Sequence, residues 1–323
     1  MMKQRVLFIG TSFFSIQKEI MASLCKKGFD VDFFVMSRPR NILLDTVCRL
    51  SIKIEDGIQN KYYRKIWSSI ESKKYHYIFI IKGDSIPDFF LKNIRSKNKN
   101  AKFILYIWDS IKNMARMPCS DCYDIIYTFD RKDSIQYGFQ HKPSFYFRQL
   151  SENDPEKEYL VSLIGTLHSD RLFYAKYFSN LASEYSTPSF ISLYAPVKSL
   201  VKFFLEGRVG HGWRLITTKK ISLCSVDDIT VKSNIILDFP HSDQSGLTLR
   251  FMSAIGMNKN IITTNTDVIN YDFYDENYIL VIDKHNLNHD KIKAFIDQSI
   301  GRSANFRNIE NYYLSNWLNE FFK

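Results

Sequence analysis

Short apolar runs recur along the chain and are separated by amphipathic stretches, the pattern of buried parallel strands alternating with helices. In the first half Arg5–Gly10, Val31–Met36, Tyr75–Ile81, Phe103–Trp108 and Asp124–Phe129 read as strands, with Phe145–Phe147 as a last strand closing that half. A helix through Phe14, Ile20 and Leu24 follows the first strand. Residues 41–73 read as two helices around a turn at Asp56-Gly57, and Pro87 opens a helix to about Ser96. The polar run Ser151–Glu158 then interrupts the pattern and reads as a linker. Beyond it the alternation restarts. Leu160–Ile164, Phe190–Tyr194, Ile221–Leu223, Ile235–Leu237, Ile261–Ile262 and Tyr278–Ile282 are strands by this reading. Helices are expected from Arg171 to about Tyr185, over Val197–Leu205, from Leu247 to Gly256 and over Asp290–Ile300, before an aromatic amphipathic tail at Tyr312–Phe322. The expectation is an α/β protein with parallel, doubly wound sheets.

Length supports two cores rather than one. At 323 residues and 45% hydrophobic content the chain exceeds the usual size of a single core, and no block has the composition of disorder. The expected division is residues 1–150, residues 151–305, and a final helix at 306–323 packing back on the first domain. The net charge of +10 is uneven: residues 1–150 hold 26 basic and 14 acidic side chains, the remainder 18 and 20. A basic first half suits an anionic membrane surface or an anionic acceptor. No zinc-finger, RNA-recognition or basic-zipper pattern accompanies it, so nucleic acid is not expected. No run reaches the roughly 18–20 apolar residues that span a bilayer, and no secretory signal opens the chain. Five cysteines without such a signal indicate a reducing compartment. The expected location is therefore cytoplasmic, at most peripheral on the inner face of the plasma membrane. Cys119-Ser-Asp-Cys122 is half of a zinc motif with no second half in sequence reach, so no metal site is expected.

The segment Asn234–Asn265 carries the clearest chemistry. A buried strand leads into a turn rich in Pro, Ser, Asp and Gly, then a helix, then a strand ending in Thr263-Thr264-Asn265. A helix opening at Ser245-Gly246-Leu247-Thr248 offers unpaired N–H groups and the positive end of its dipole to an anion. Arg250 can add a two-pronged contact with a diphosphate. The alternative is an ordinary capped helix in an α/β domain. The run Gln244–Arg250, with Ile261–Asn265 behind it, resembles the donor-binding segment of bacterial GT-B glycosyltransferases that build surface polysaccharides, most clearly over Tyr159–Asp283. That resemblance implies two Rossmann-like domains facing a cleft, with the nucleotide-sugar held by the second. It implies donor contacts from Gly165, Thr166, Arg171, Tyr194, Asp243, Gln244, Ser245, Gly246, Leu247, Thr248, Arg250, Thr264 and Asn265, with a UDP-sugar foremost and no cofactor. Many retaining members carry Glu in this turn and one helix-span later, whereas here Asp243 is the only acid beside the turn. Stereochemistry stays open.

In an inverting reaction a first-domain carboxylate takes the acceptor proton. Asp109, beside Trp108 that can stack on a sugar, is the first candidate and Asp84 the second; each can instead cap the next helix. Thr11 and Ser12 are acceptor-side candidates, with helix capping as the plainer role. The expected activity is sugar transfer from a nucleotide donor to a lipid-linked or oligosaccharide acceptor of lipopolysaccharide, O-antigen or capsule, without a metal. A nucleotide-sugar 2-epimerase of the same architecture and a non-catalytic glycan-binding protein are the alternatives. Asp238, His241 and Asp243 are the acid/base groups an epimerase can draw on.

Overall fold

The computed structural model describes residues 3–12, 15–37, 52–114, 116–150, 155–168, 170–205, 210–241, 244–283 and 285–322. The chain divides into two compact units, Met1–Pro143 with Trp317–Lys323, and Ser144–Asn316. The division thus falls ahead of the polar run at 151–158.

The first unit holds β1 (Arg5–Gly10), β2 (Asp30–Val35), β3 (Tyr77–Ile81), β4 (Lys102–Ile107), β5 (Ile125–Thr128) and β6 (Gln140–His141). All pair in parallel, in the order β2-β1-β3-β4-β5-β6. Alternate side chains serve opposite faces. Leu7, Ile9, Ile78, Ile80, Phe103 and Leu105 join one apolar cluster with Tyr63, Phe90 and Ile94 from the helices Ile52–Ile70 and Asp88–Lys97. The other face is aromatic and is covered by the C-terminal segment. Phe79 lies 5.2 Å from Phe321 and 5.4 Å from Phe322, and Tyr106 meets Trp317 edge-on at 4.8 Å. The Trp317 indole N–H donates to the Pro143 carbonyl at 2.8 Å, tying the tail to the end of the same unit.

The second unit holds β7 (Tyr159–Thr166), β8 (Phe190–Tyr194), β9 (Ile216–Thr217), β10 (Ser233–Asp238), β11 (Asn260–Thr263) and β12 (Ile279–Val281). They form a second parallel sheet, β12-β11-β10-β7-β8-β9. Ile235 and Leu237 belong to one apolar cluster and Ile236 to the other, so this sheet is buried on both faces.

Three expectations change. Asp56-Gly57 is not a turn: the helix Ile52–Ile70 runs through it, because Tyr63, Ile66 and Ile70 bury one face and outweigh the roughly 1 kcal/mol that an interior glycine costs. Ile221–Leu223 is not a strand: Ser222 accepts from the Ser225 N–H and caps the helix Leu223–Val231. Phe145–Phe147 is no strand of the first sheet, since Tyr146 belongs to the second unit and bridges Tyr313.

Tyr146 also packs on the end of the helix Leu249–Gly256. A methyl group on Gly256 would stand 2.3 Å from the Tyr146 ring and 2.6 Å from the Arg148 carbonyl, and backbone cannot give way as a side chain does. Gly256→Ala is therefore expected to lower stability by about 1–3 kcal/mol through overpacking, read from urea unfolding. An unchanged midpoint would mean that this contact is absent.

Candidate functional site

Gly165 and Thr166 end β7, and Asp238 ends its neighbour β10. Strand β7 pairs with β8 on one side and β10 on the other, so the order of strands reverses between β7 and β10. Open α/β sheets bind ligands outside the carboxyl ends at such a reversal. Here the sequence places two arginines. Asp238 has no exposed surface, and its Oδ1 accepts from Thr248 Oγ1 at 2.7 Å, Arg250 Nε at 3.0 Å and Arg250 Nη2 at 2.7 Å. Arg250 Nη1 donates to the Ile164 carbonyl. Arg171, only 6% exposed at the start of the helix Arg171–Ala182, donates to the Phe239 carbonyl through Nε (3.0 Å) and Nη2 (2.6 Å). Its Nη1 donates to Thr166 O at 2.6 Å.

Glycine at 165 lets the two guanidinium groups lie together. A methyl there would be 2.8 Å from Arg250 Nη1 and 2.9 Å from Arg171 Nη1. Each guanidinium has five N–H groups and uses three on protein acceptors among the described residues, which leaves two apiece. Among the described residues the two guanidiniums and the Asp238 carboxylate, which is hydrogen-bonded to Arg250, sum to a net positive charge. Burial, then Arg250, presses Arg171 down to about 9, while Asp238 opposes. Burial, then Arg171, His241 and Arg250, lowers His168 to about 4, so its imidazole is neutral at pH 7. The His168 and His241 rings are 5.7 Å apart.

The remaining donor-side candidates frame this cluster. The helix begins at Leu249, two residues later than its apolar pattern predicts, because Leu247 is buried in the core and Thr248 is the N-cap, accepting from the Phe251 N–H. Other first-turn N–H groups have no partner within the helix. Gln244 Nε2 donates to Gly246 O at 2.7 Å and closes the turn. Asn265 braces it from β11: Nδ2 donates to Ser245 O, and Oδ1 accepts from Asp267 N. Thr264 N reaches Asp238 O at 3.4 Å. Tyr194 pairs with Thr166 in register, with Lys220 over its ring at 5.3 Å. Asp243 lies outside the described residues. Asn265 and much of Arg250 therefore act as internal supports, whereas the expectation made both of them ligand contacts.

In the first unit the candidates also sit at strand ends. Gly10 ends β1 ahead of Thr11 and Ser12, and the reversal of order falls between β1 and β3. Neither Thr11 nor Ser12 caps the next helix; Ser15 holds that position. After β3, Lys82 and Gly83 both have φ of +80°, an uncommon conformation for lysine. The turn brings the Lys82 ammonium 3.6 Å from Asp84 and 3.5 Å from Asp109, which follows β4. The Trp108 ring stands 6.4 Å from Tyr106. A groove of about 740 Å³ lies at the opposite, amino-terminal edge of this sheet, lined by Lys74, His76, Lys97, Lys99 and Lys102. It is far from the strand ends where chemistry is expected, so we do not place the site there. Among the described residues no three His, Cys, Asp or Glu side chains gather as a metal site. Cys119 and Cys122 touch at 2.9 Å, with burial pushing the Cys122 thiol up to about 12.

Three participants were not legible as such. The Asp238–Arg250 pair spans twelve residues and a change of element, His168 carries no motif, and Lys82 is one lysine among many. The one available signal was position, each lying at or just past the end of an apolar run.

Asp238→Ala leaves the buried Arg171 and the half-buried Arg250 without their carboxylate and is expected to cost about 3–5 kcal/mol in urea unfolding. The pH response follows from His168. Between its unfolded value of 6.5 and its folded value of about 4 the unfolded chain binds the extra proton, so stability rises with pH through that window and is lost as pH falls through it. His168→Asn is expected to flatten the change in melting temperature between pH 7 and pH 4; an unaltered slope refutes the assignment.

No family model matches this chain, and no curated protein matches it. Solved structures do. Staphylococcus aureus MnaA in complex with UDP aligns with TM-score 0.56 and 12% identity, covering 100% of this chain and 98% of that one. The UDP-GlcNAc 2-epimerase of Neisseria meningitidis, bound to UDP-GlcNAc, aligns with TM-score 0.55 and 11% identity over 99% of both chains. MurG of Acinetobacter baumannii covers 99% of both chains at 4% identity, with the lower TM-score of 0.47. At these identities the likeness speaks for architecture: the chain has the GT-B fold, two Rossmann-like doubly wound domains in succession.

Proposed function

We propose that this protein is a glycosyltransferase that takes a sugar from a nucleoside diphosphate donor, with UDP-sugars foremost. The observation that carries the reading is the pair of guanidiniums beside Gly165, Arg171 buried and Arg250 half-buried, with Asp238 as their carboxylate among the described residues, next to the start of the helix Leu249–Gly256. A diphosphate supplies the missing negative charge, and the same groups stabilise it as it leaves. In this reading no metal or cofactor is required. Asp109, ion-paired to Lys82 and next to Trp108, is assigned as base for the acceptor hydroxyl, with Asp84 second. The acceptor is proposed to be a lipid-linked or oligosaccharide chain of a bacterial surface polysaccharide, lipopolysaccharide, O-antigen or capsule, and the place of work the cytoplasmic face of the membrane. No described helix is long and apolar enough to cross a membrane.

A second reading, a nucleotide-sugar 2-epimerase, would draw its proton-moving groups from the donor domain, where His168 and His241 are neighbours.

The tests separate these readings. A nucleoside diphosphate at about 100 times its Kd is expected to stabilise the protein by about 2.7 kcal/mol, whereas the bare nucleoside does little. Arg171→Lys keeps the charge but loses the planar fork, and is expected to weaken that stabilisation at least about tenfold in Kd. Equal shifts in both proteins would overturn the guanidinium site. With UDP-GlcNAc alone and no acceptor, a transferase leaves the sugar configuration unchanged, while an epimerase converts it. For transfer, Asp109→Asn is expected to lower kcat by about 100-fold or more with the donor Kd preserved.

A further inference from the structure

The helix Val197–Leu205 of the second unit turns an apolar stripe outward. At helical spacing, Val197, Val201, Phe204 and Leu205 fall within an arc of about 100°. These four are 63%, 53%, 54% and 83% exposed. Leu200, beside Phe204, and Phe203, further round, pack against the unit's core, so the helix is fixed in orientation by one part of its apolar surface and presents the rest to solvent. Lys198 borders the outward stripe and is exposed. In the turn Gly210–Leu215 that follows, Trp213 is 56% exposed, with the Arg214 guanidinium 5.6 Å from its ring centre. Isolated exposed apolar residues are ordinary, but a contiguous outward stripe on one helix calls for an occupant.

Charge decides which occupant. Tyr194–Ser222 holds six Lys and Arg against one Glu, whereas the rest of residues 151–323 holds twelve basic against nineteen acidic residues. In sequence this segment is thus a positive stretch in an otherwise negative half, and Lys198, Arg214, Lys219 and Lys220 are exposed among its described residues. Pairing with a second copy through the same face would set two such stretches against each other, which is unfavourable. An anionic bilayer surface suits both features: apolar side chains enter the headgroup and acyl boundary, Lys and Arg stay at the phosphates, and Trp favours that interface.

We propose that the helix Val197–Leu205, with the Trp213 turn, is an interfacial anchor for anionic phospholipid. The inference is independent of which sugar chemistry the protein performs. It also differs from attachment through the basic first half, because it places the contact in the second unit.

The full chain is to be sedimented with vesicles of equimolar phosphatidylglycerol and phosphatidylcholine, and with phosphatidylcholine alone. Binding is expected to the anionic vesicles and to weaken in high salt. Phe204→Ser/Leu205→Ser and, separately, Lys219→Glu/Lys220→Glu are each expected to reduce partitioning at least about tenfold, since apolar area and charge both contribute. All four positions are exposed, so the melting temperatures should stay at the wild-type value. On anionic vesicles tryptophan emission should shift to the blue, and Trp213→Phe should remove that shift. Three results would each overturn the proposal. One is no binding of the wild type to anionic vesicles. Another is wild-type binding by Phe204→Ser/Leu205→Ser, which places attachment elsewhere. The third is a wild-type dimer that this double variant dissociates, which assigns the stripe to a second copy.

Discussion

Two like charges about 4 Å apart repel by about 4 kcal/mol in a partly wet protein site, and burial makes each costlier still. The second unit nonetheless brings Arg171 and Arg250 together over Gly165. What makes this tolerable is Asp238, fully buried at the end of β10, and three main-chain carbonyls from Ile164, Thr166 and Phe239. Those carbonyls belong to the ends of β7 and β10 or the residue beyond, so the arginines also lock together the two strands at which the sheet order reverses. The arrangement is self-supporting but not neutral. Its leftover positive charge is the physical reason for reading it as an anion site and not only as an internal brace.

The topology explains why sequence neighbours do not explain the site. Gly165 and Asp238 are separated by two intervening strands in the chain yet end adjacent strands in the sheet. Thr248 and Arg250 return to Asp238 only because the turn after β10 brings the following helix back over the strand end. Asn265, from β11, then holds that turn through the Ser245 carbonyl. Each strand contributes at its carboxyl end, so a parallel sheet gathers residues that are remote in sequence at one edge.

Strands were legible because their signal is local. Val6–Ile9, Ile78–Ile81, Phe103–Ile107 and Ile235–Leu237 are continuous apolar runs, and both faces of each sheet are covered. Helix limits were less so. Leu247 looks like the first apolar position of a helix, but its side chain enters the core from the turn, and Thr248 sets the true start. At Asp56-Gly57 local turn chemistry lost to the tertiary burial of Tyr63 and Ile66. The site was half legible for the same reason. Gly165, Thr166 and the Gln244–Arg250 run carry local marks, whereas the pairing of Asp238 with Arg250 and the proximity of His168 to His241 exist only after folding.

The two units also show what net charge does and does not inform. The first 150 residues carry a large basic excess, yet the candidate group at their strand ends sets one ammonium, Lys82, between two carboxylates, Asp84 and Asp109. The remaining residues are slightly acidic overall, yet their candidate group among the described residues sets two guanidiniums beside Gly165 with one carboxylate, Asp238, bound to Arg250. Each site therefore opposes the sign of the half that contains it. Bulk charge is dominated by exposed side chains, which water and salt screen beyond about a Debye length. Partly buried groups at strand ends are screened much less, and they set the potential that a bound anion or a reacting hydroxyl meets. The positive excess of the first half is thus a statement about its outer surface. The sign of the chemistry has to be read from the few residues that follow each strand.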